Sequence, residues 1–263
     1  MNETIEAVQA WFAAFFAGHA APTPADATRL ELKRFHCQMV MAEAETLAGS
    51  LALPRRQITL AAVAGLCHDV GRFPQYLRYQ TFSDRQSVNH AILGVQSLTR
   101  HRGLGTLTPR ERSLVRTAIV VHNRHLLPPA LTSGRDGEAL VLARIVRDAD
   151  KLDIVRVMLD HFKAPGDKDA VVFLGRPDIP DQYNPAIIAD ILAGRLGNYD
   201  DMASANDFAL LLLSWINDMA FPWTRQQFFS RGHVRELFAQ LPDAPQLATF
   251  KKRYFEHYAQ TAA

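Results

Sequence analysis

Apolar residues recur at three- and four-residue intervals along nearly the whole chain, and no alternating strand pattern competes with them. Helices are expected over Glu3–Gly18, Ala25–Ala48, Arg56–Asp69, Ser87–Arg100, Pro109–His125 and Glu138–Phe162. A second series is expected over Pro185–Leu196, Asn206–Met219, Arg225–Gln240 and Pro245–Gln260. Local signals support these limits. Thr108 precedes Pro109, with Glu111 three residues on, which is the capping-box pattern with proline at the first helical position. Asn184-Pro185 opens another helix in the same way, and Gly71 follows His68-Asp69 as a C-terminal breaker. The run Leu60, Ala61, Ala62, Val63, Ala64 and Leu66 is apolar nearly all round, so that helix should be central and buried.

Between the two series lies one long irregular stretch, Lys163 to Asn184, in which the short VVFLG run suggests packing. The expected architecture is all-α. A catalytic helical core occupies residues 1–165, and residues 166–263 form a helical extension packed on it.

Composition narrows the class. The 263 residues are 48% apolar and 21% charged, ordinary for a globular chain and long enough to bury a sizeable core. With 29 basic and 27 acidic residues the net charge is +2. That balance argues against a dedicated nucleic-acid binder or a protein of anionic membranes. Two cysteines, Cys37 and Cys67, cannot build a disulfide framework, so a reduced, cytoplasmic setting is expected. The apolar segment Ala10 to Gly18 follows Glu3 and Glu6 rather than a basic region. It is too short to span a bilayer and reads as an amphipathic first helix.

The chemistry is carried by three places: His36 in LKRFHCQMV, His68-Asp69 in AAVAGLCHDVGRF, and Asp150 in RDADKLD. His36 lies a turn from Leu32 and from Val40, on an inward stripe. A histidine and a carboxylate at the end of a buried helix need partners, and a divalent cation supplies one. At about 100° per residue, Leu142, Val146, Ala149 and Asp153 share a face, with Asp150 about 40° from Val146 and Asp148 about 200° from it. Asp150 is therefore the expected ligand, and Asp148 a surface or supporting residue. Cys37 and Cys67 point about 100° away from their histidine neighbours and serve as small buried apolar residues. HRGLGTL lacks the lysine of a phosphate loop, and no serine nucleophile elbow is present.

The order His…His-Asp…Asp resembles the HD-domain superfamily of metal-dependent phosphohydrolases. HDVG is similar to that family's helix end, and ADKLD to its closing Asp-Lys motif, over roughly residues 30 to 160. The resemblance implies an HD-domain-like helical bundle in which His36, His68, Asp69 and Asp150 surround one metal. His90 and His122 resemble the extra ligands of two-metal relatives, in which Asp69 would bridge both ions. A role in hydrogen bonding or substrate contact stays open for this pair, with His125 as a supporting residue. Such a ligand set suits Fe, Mn, Zn, Co or Ni, as one ion or two.

Cations near the motifs are candidates for substrate. Arg72 follows HDVG, Lys151 follows Asp150, and Arg78 lies in the expected loop RFPQYLRYQTFSDRQ. Asp69, Arg72 and Lys151 are the expected catalytic set, and Arg72, Arg78 and Lys151 the substrate contacts. Structural ion pairing is an equal alternative for Arg72 and Lys151. Phe73, Tyr76, Tyr79 and Phe82 suit stacking on a base or packing. The resemblance implies attack of a metal-bound hydroxide on phosphorus in a small phosphorylated molecule, with a nucleotide expected. Three specialised activities of the family are disfavoured. No GYP signature is present, Arg72 replaces the alarmone-hydrolase glutamate, and Ile154 replaces the dNTP-hydrolase tyrosine. A di-iron oxygenase and a non-catalytic binding module are the alternatives.

Overall fold

The computed structural model describes residues 3–134, 136–165, 171–173 and 175–258. Among them the secondary structure is helical, without strands. The order is α1 (Glu3–Ala17), α2 (Pro24–Ser50), α3 (Arg55–Cys67), α4 (Arg72–Tyr79), α5 (His90–Arg100), α6 (Pro109–His122), α7 (Pro129–Thr132) and α8 (Gly137–Lys163). Then follow α9 (Pro185–Leu192), α10 (Ala205–Ser214), α11 (Pro222–Ser230), α12 (His233–Ala239) and α13 (Pro245–Tyr258). No described helix is long and apolar enough to cross a membrane. The chain divides into two compact units, residues 1–153 and 154–263, with the division falling inside α8.

In the first unit α3 is the centre. Every residue from Thr59 to Cys67 is buried, as a helix apolar on all sides requires. It packs against α1, α2 and α6. The first helix buries Val8, Phe12 and Phe15 and leaves its other side to solvent, so it is amphipathic. Glycine permits the closest helix approach. A Cβ on Gly65 would lie 2.8 Å from the Val40 carbonyl oxygen of α2. One on Gly71 would lie 2.0 Å from the His90 carbonyl oxygen and 2.6 Å from the Gly94 nitrogen. Gly71 has φ −68°, so it does not break the helix through a left-handed conformation. Its role is close approach, and Gly94, whose Cβ would lie 3.2 Å from the Gly71 nitrogen, is the other half of that contact.

In the second unit α10 is the equivalent centre, with all ten residues buried and α9 and α12 packed on it. Ser204 and Asp207 form a capping box at its start. The Tyr254 and Tyr258 hydroxyls donate to the carbonyls of Leu213 and Ile191, each at 2.9 Å. Phe173, from the VVFLG run, is buried against the Phe162 and Phe208 rings. Residues 166–170 and Leu174 of the irregular stretch, and Ala259 and Gln260 of the last expected helix, lie outside the described residues.

Several boundaries differ from expectation for local reasons. The segment read as a loop after HDVG contains α4, because Pro74 falls in a first turn where no amide hydrogen is needed. Arg78 is thus helical, and Gln80 ends α4 in a left-handed conformation at φ 54°. The helix expected from Ser87 begins at His90, capped by Asn89, whose side chain accepts from the Ile92 amide. The helix expected over Arg225–Gln240 is two, divided at Gly232 with φ 80°. α6 stops at His122, so His125 lies beyond it with its side chain exposed. The Thr108–Glu111 capping box and the Asn184–Pro185 start are present as expected.

Gly71→Ala should destabilise the protein by about 3 kcal/mol, since backbone atoms cannot yield to the new methyl as a flexible side chain can. Gly49→Ala, with nothing within 4 Å of the added carbon, should stabilise α2 by about 0.5–1 kcal/mol. Denaturant unfolding of the two variants checks both signs, and equal behaviour would remove the close-approach explanation.

Candidate metal centre

Six side chains from five segments converge in the first unit. His36 comes from the middle of α2, and His68 and Asp69 from the turn that ends α3. His90 is the first residue of α5, His122 the last of α6, and Asp150 lies within α8. Ligand atoms of His36, His68 and Asp69 lie within 4.8 Å of one another, as do those of Asp69, His90 and His122, and those of His68, His122 and Asp150. His36 Nε2 is 3.2 Å from His68 Nε2 and 3.1 Å from Asp150 Oδ1. His90 Nε2 is 3.1 Å from His122 Nε2 and 3.1 Å from Asp69 Oδ1. The other Asp69 oxygen, Oδ2, lies 3.8 Å from both His36 and His68. One carboxylate therefore faces two histidine pairs, one with each oxygen.

The outer nitrogen of every imidazole is engaged. His68 Nδ1 is 2.7 Å from the Gly65 carbonyl oxygen, and His122 Nδ1 is 2.7 Å from that of Ile119. Both histidines sit at a helix end, where a carbonyl three residues back lacks its intrahelical partner. His36 and His90 have no such carbonyl within reach, and a carboxylate serves instead. Asp153 Oδ2 lies 2.6 Å from His36 Nδ1, and both Asp84 oxygens lie 2.8 Å from His90 Nδ1. Each acceptor holds the hydrogen on Nδ1, which leaves all four Nε2 lone pairs directed at one another and at Asp69 and Asp150.

Such convergence of acceptors needs positive charge at its centre. Asp150 Oδ1 is buried without a hydrogen-bond donor. Burial pushes the Asp69 carboxyl up, but Lys33, Arg72 and the neighbouring imidazoles hold it well below the usual carboxylate range. Burial likewise opposes ionisation of Asp150, and His68 and His36 overcome it. Burial brings His122 down to about 4, which keeps it neutral as a ligand must be. His36 is lowered by burial and raised more strongly by Asp150 and Asp153, to about 8. A proton or a metal ion must sit between His36 and Asp150. The N/O donor set, preoriented by these contacts, fits a divalent transition metal.

The cations divide into different roles. Arg72 Nε lies 3.3 Å from Asp69 Oδ1, and its Nη1 contacts Asp84 at 3.1 Å, Gln75 at 3.0 Å and the Phe82 carbonyl. It behaves as a structural ion pair that ties the Asp69 turn to the loop before α5. Lys151 is buried next to Asp150 on α8. Arg78 is exposed, with its guanidinium over the Tyr79 ring, beside a groove lined by Pro74, Val88, Asn89 and Ile92 and by no metal-centre residue. Phe73, Tyr76 and Phe82 are buried and pack. Cys37 and Cys67 are buried free thiols raised by burial, Cys67 to about 12.

Asp148 is not on the surface: it is fully buried, as are Arg147 and Asp153 nearby. The helical-wheel direction of Asp150 was sound, but α8 is enclosed on its other sides too, so opposite no longer means exposed. Sequence reasoning also missed Lys33, Asp84, Asp153 and Arg147. Lys33 Nζ lies 3.0 Å from Asp69 Oδ2, and its position one turn before His36 was the available signal. Asp153 shares the inward face of α8, the signal for its contact with His36. Arg147 donates to the carbonyls of Val121, His122, Arg124 and His125, closing the end of α6 where His122 projects. Asp84 also accepts from Gln75 at 2.9 Å and Asn123 at 3.0 Å. Nothing in the local sequence around these last two residues marks them.

Asp84→Ala and Asp153→Ala should each lower metal affinity by about 10–100-fold, because each releases the ring it orients. The two losses should fall on different ions if two are bound: His90 is freed by the first, His36 by the second. Titration of metal-free protein with Mn or Zn, followed by calorimetry, measures this; affinities equal to the parent's would show that the outer carboxylates do not position the ligands.

Residues 35–154 match the HD domain family. No curated protein and no solved structure matches the chain. The matched stretch contains all six converging side chains and both outer carboxylates, in the order expected from the motifs, and on that ground residues 35–154 form an HD domain.

Proposed function

We propose that this protein is a metal-dependent phosphohydrolase that cleaves a small phosphorylated molecule, with a nucleotide as the expected substrate class. The observation that carries the reading is the placement of Asp69 between the His36–His68 and His90–His122 pairs, one oxygen to each. His36, His68, Asp69 and Asp150 would hold one ion, and Asp69, His90 and His122 a second. Bound there, the metal would supply Lewis acidity and bring the pKa of a water from about 15.7 toward about 7.

The chain's own residues do the rest. The four Nδ1 hydrogen bonds keep the rings in fixed orientations, so little reorganisation accompanies reaction. Arg72 holds the Asp69 carboxylate and the Phe82 carbonyl together, fixing the turn and the loop relative to each other. Lys151, next to Asp150 in the sequence, would balance charge that develops on the phosphoryl group.

His90→Ala and His122→Ala should leave about one ion per chain where the parent carries two. Lys151→Ala should reduce kcat/KM about 10–100-fold with the metal retained, the pattern of a lost substrate or transition-state contact. Metal analysis of purified protein, with a panel of phosphomonoesters, diphosphates and cyclic nucleotides, tests these outcomes. A metal-replete parent that hydrolyses none of the panel, but consumes oxygen with bound iron, would replace this reading by the oxygenase one.

A further inference from the structure

Lys33 projects from α2 one turn before His36, and its Nζ lies 3.0 Å from Asp69 Oδ2. That oxygen is the one facing His36 and His68, so the ammonium borders the metal cluster. Its side chain retains 18% of its exposure, against 4% for Asp69. The Phe82 ring lies beneath it, with Nζ 5.5 Å from the ring centroid. Phe82 is itself fixed through its carbonyl by Arg72.

Two cations thus touch Asp69, and they are bound differently. Arg72 is shared among four acceptors: Asp69, Gln75, Asp84 and the Phe82 carbonyl. Leaving them would strip a buried network of its donor, which is costly. Lys33 has a single ion-pair partner among the described residues, carried on a flexible stem with three donors. When a cation takes up the charge of Asp69, the pull on Lys33 weakens while Arg72 remains held by its other three acceptors.

We infer that Lys33, rather than Arg72, is the residue that binds the anionic group of the substrate, with the Phe82 ring as a fixed platform under its ammonium. The inference rests on the phosphohydrolase reading and adds the group that receives the phosphoryl oxygens. The chemical class recognised is a terminal or bridging phosphate, and inorganic phosphate is a sufficient probe.

The test uses full-length, metal-loaded protein, with metal content and calorimetric phosphate binding measured on the parent, Lys33→Met and Lys33→Arg. Lys33→Met should carry the parent's metal content, bind phosphate about 10–100-fold more weakly and show a correspondingly raised KM. Lys33→Arg should recover most of the phosphate affinity, since a cation on a long stem is restored. Phosphate affinity unchanged in Lys33→Met would overturn the inference while leaving the hydrolase reading intact. Loss of metal from Lys33→Met would also overturn it, by making Lys33 a counter-ion of Asp69 alone. A parent that binds no phosphate and cleaves no ester would remove both readings together.

Discussion

The structure of the first unit turns on one electrostatic constraint: four imidazole lone pairs and two carboxylates point at one another in a buried space. Left to themselves these groups would separate, because lone pairs repel and buried anions lose their hydration. The backbone forces them together. α3 is closed on by α1, α2 and α6, and the missing side chain at Gly71 lets the start of α5 at His90 pack directly against the turn that carries Asp69. The folded chain therefore carries a standing demand for positive charge at its centre. Lys33 and Arg72 meet part of it from the periphery, and a bound cation would meet it at the point where the lone pairs converge.

Much of this could be read in the sequence, for identifiable reasons. The candidate ligands His36, His68, Asp69 and Asp150 stand on helices, or just past the end of one, whose apolar faces are plain, so the direction of each side chain follows from its register. His90 and His122 were placed by resemblance, and the structure brings both to Asp69. What remained hidden depends on contacts distant in sequence or on segments without clear periodicity. Asp84 lies in a 3-10 turn, and its four partner residues, Arg72, Gln75, His90 and Asn123, come from three separate parts of the chain. Of the two places expected for Asp148, the surface is excluded by its burial, because a wheel assumes one solvent side and the residues around Asp148 on α8 are enclosed. α4 was hidden by its shortness and by Pro74, residues that suit a first turn as well as they suit a loop.

The network around Arg72 shows why motif adjacency alone is a weak guide to role. Arg72 and Lys33 approach the same carboxylate from opposite oxygens. One is immobilised by what else it touches and the other is not. Proximity to a motif says where a side chain begins; the competition among its acceptors decides what it is available to do.

The two histidines at helix ends restrict what evolution can place there. At positions 68 and 122 the side chain must donate backward to a carbonyl three residues earlier and present a lone pair forward. Cysteine thiolate and carboxylate can ligate a metal but have no hydrogen to donate, so either would leave a buried carbonyl unpaired. Imidazole alone, among the common ligating side chains, performs both acts at once through its two ring nitrogens. At positions 36 and 90 the outer partner is another side chain, so ligand and support can change together. Substitution among these four histidines should therefore be tolerated as coordinated pairs at 36 with 153 and at 90 with 84, while 68 and 122 admit no alternative that keeps their helix ends closed.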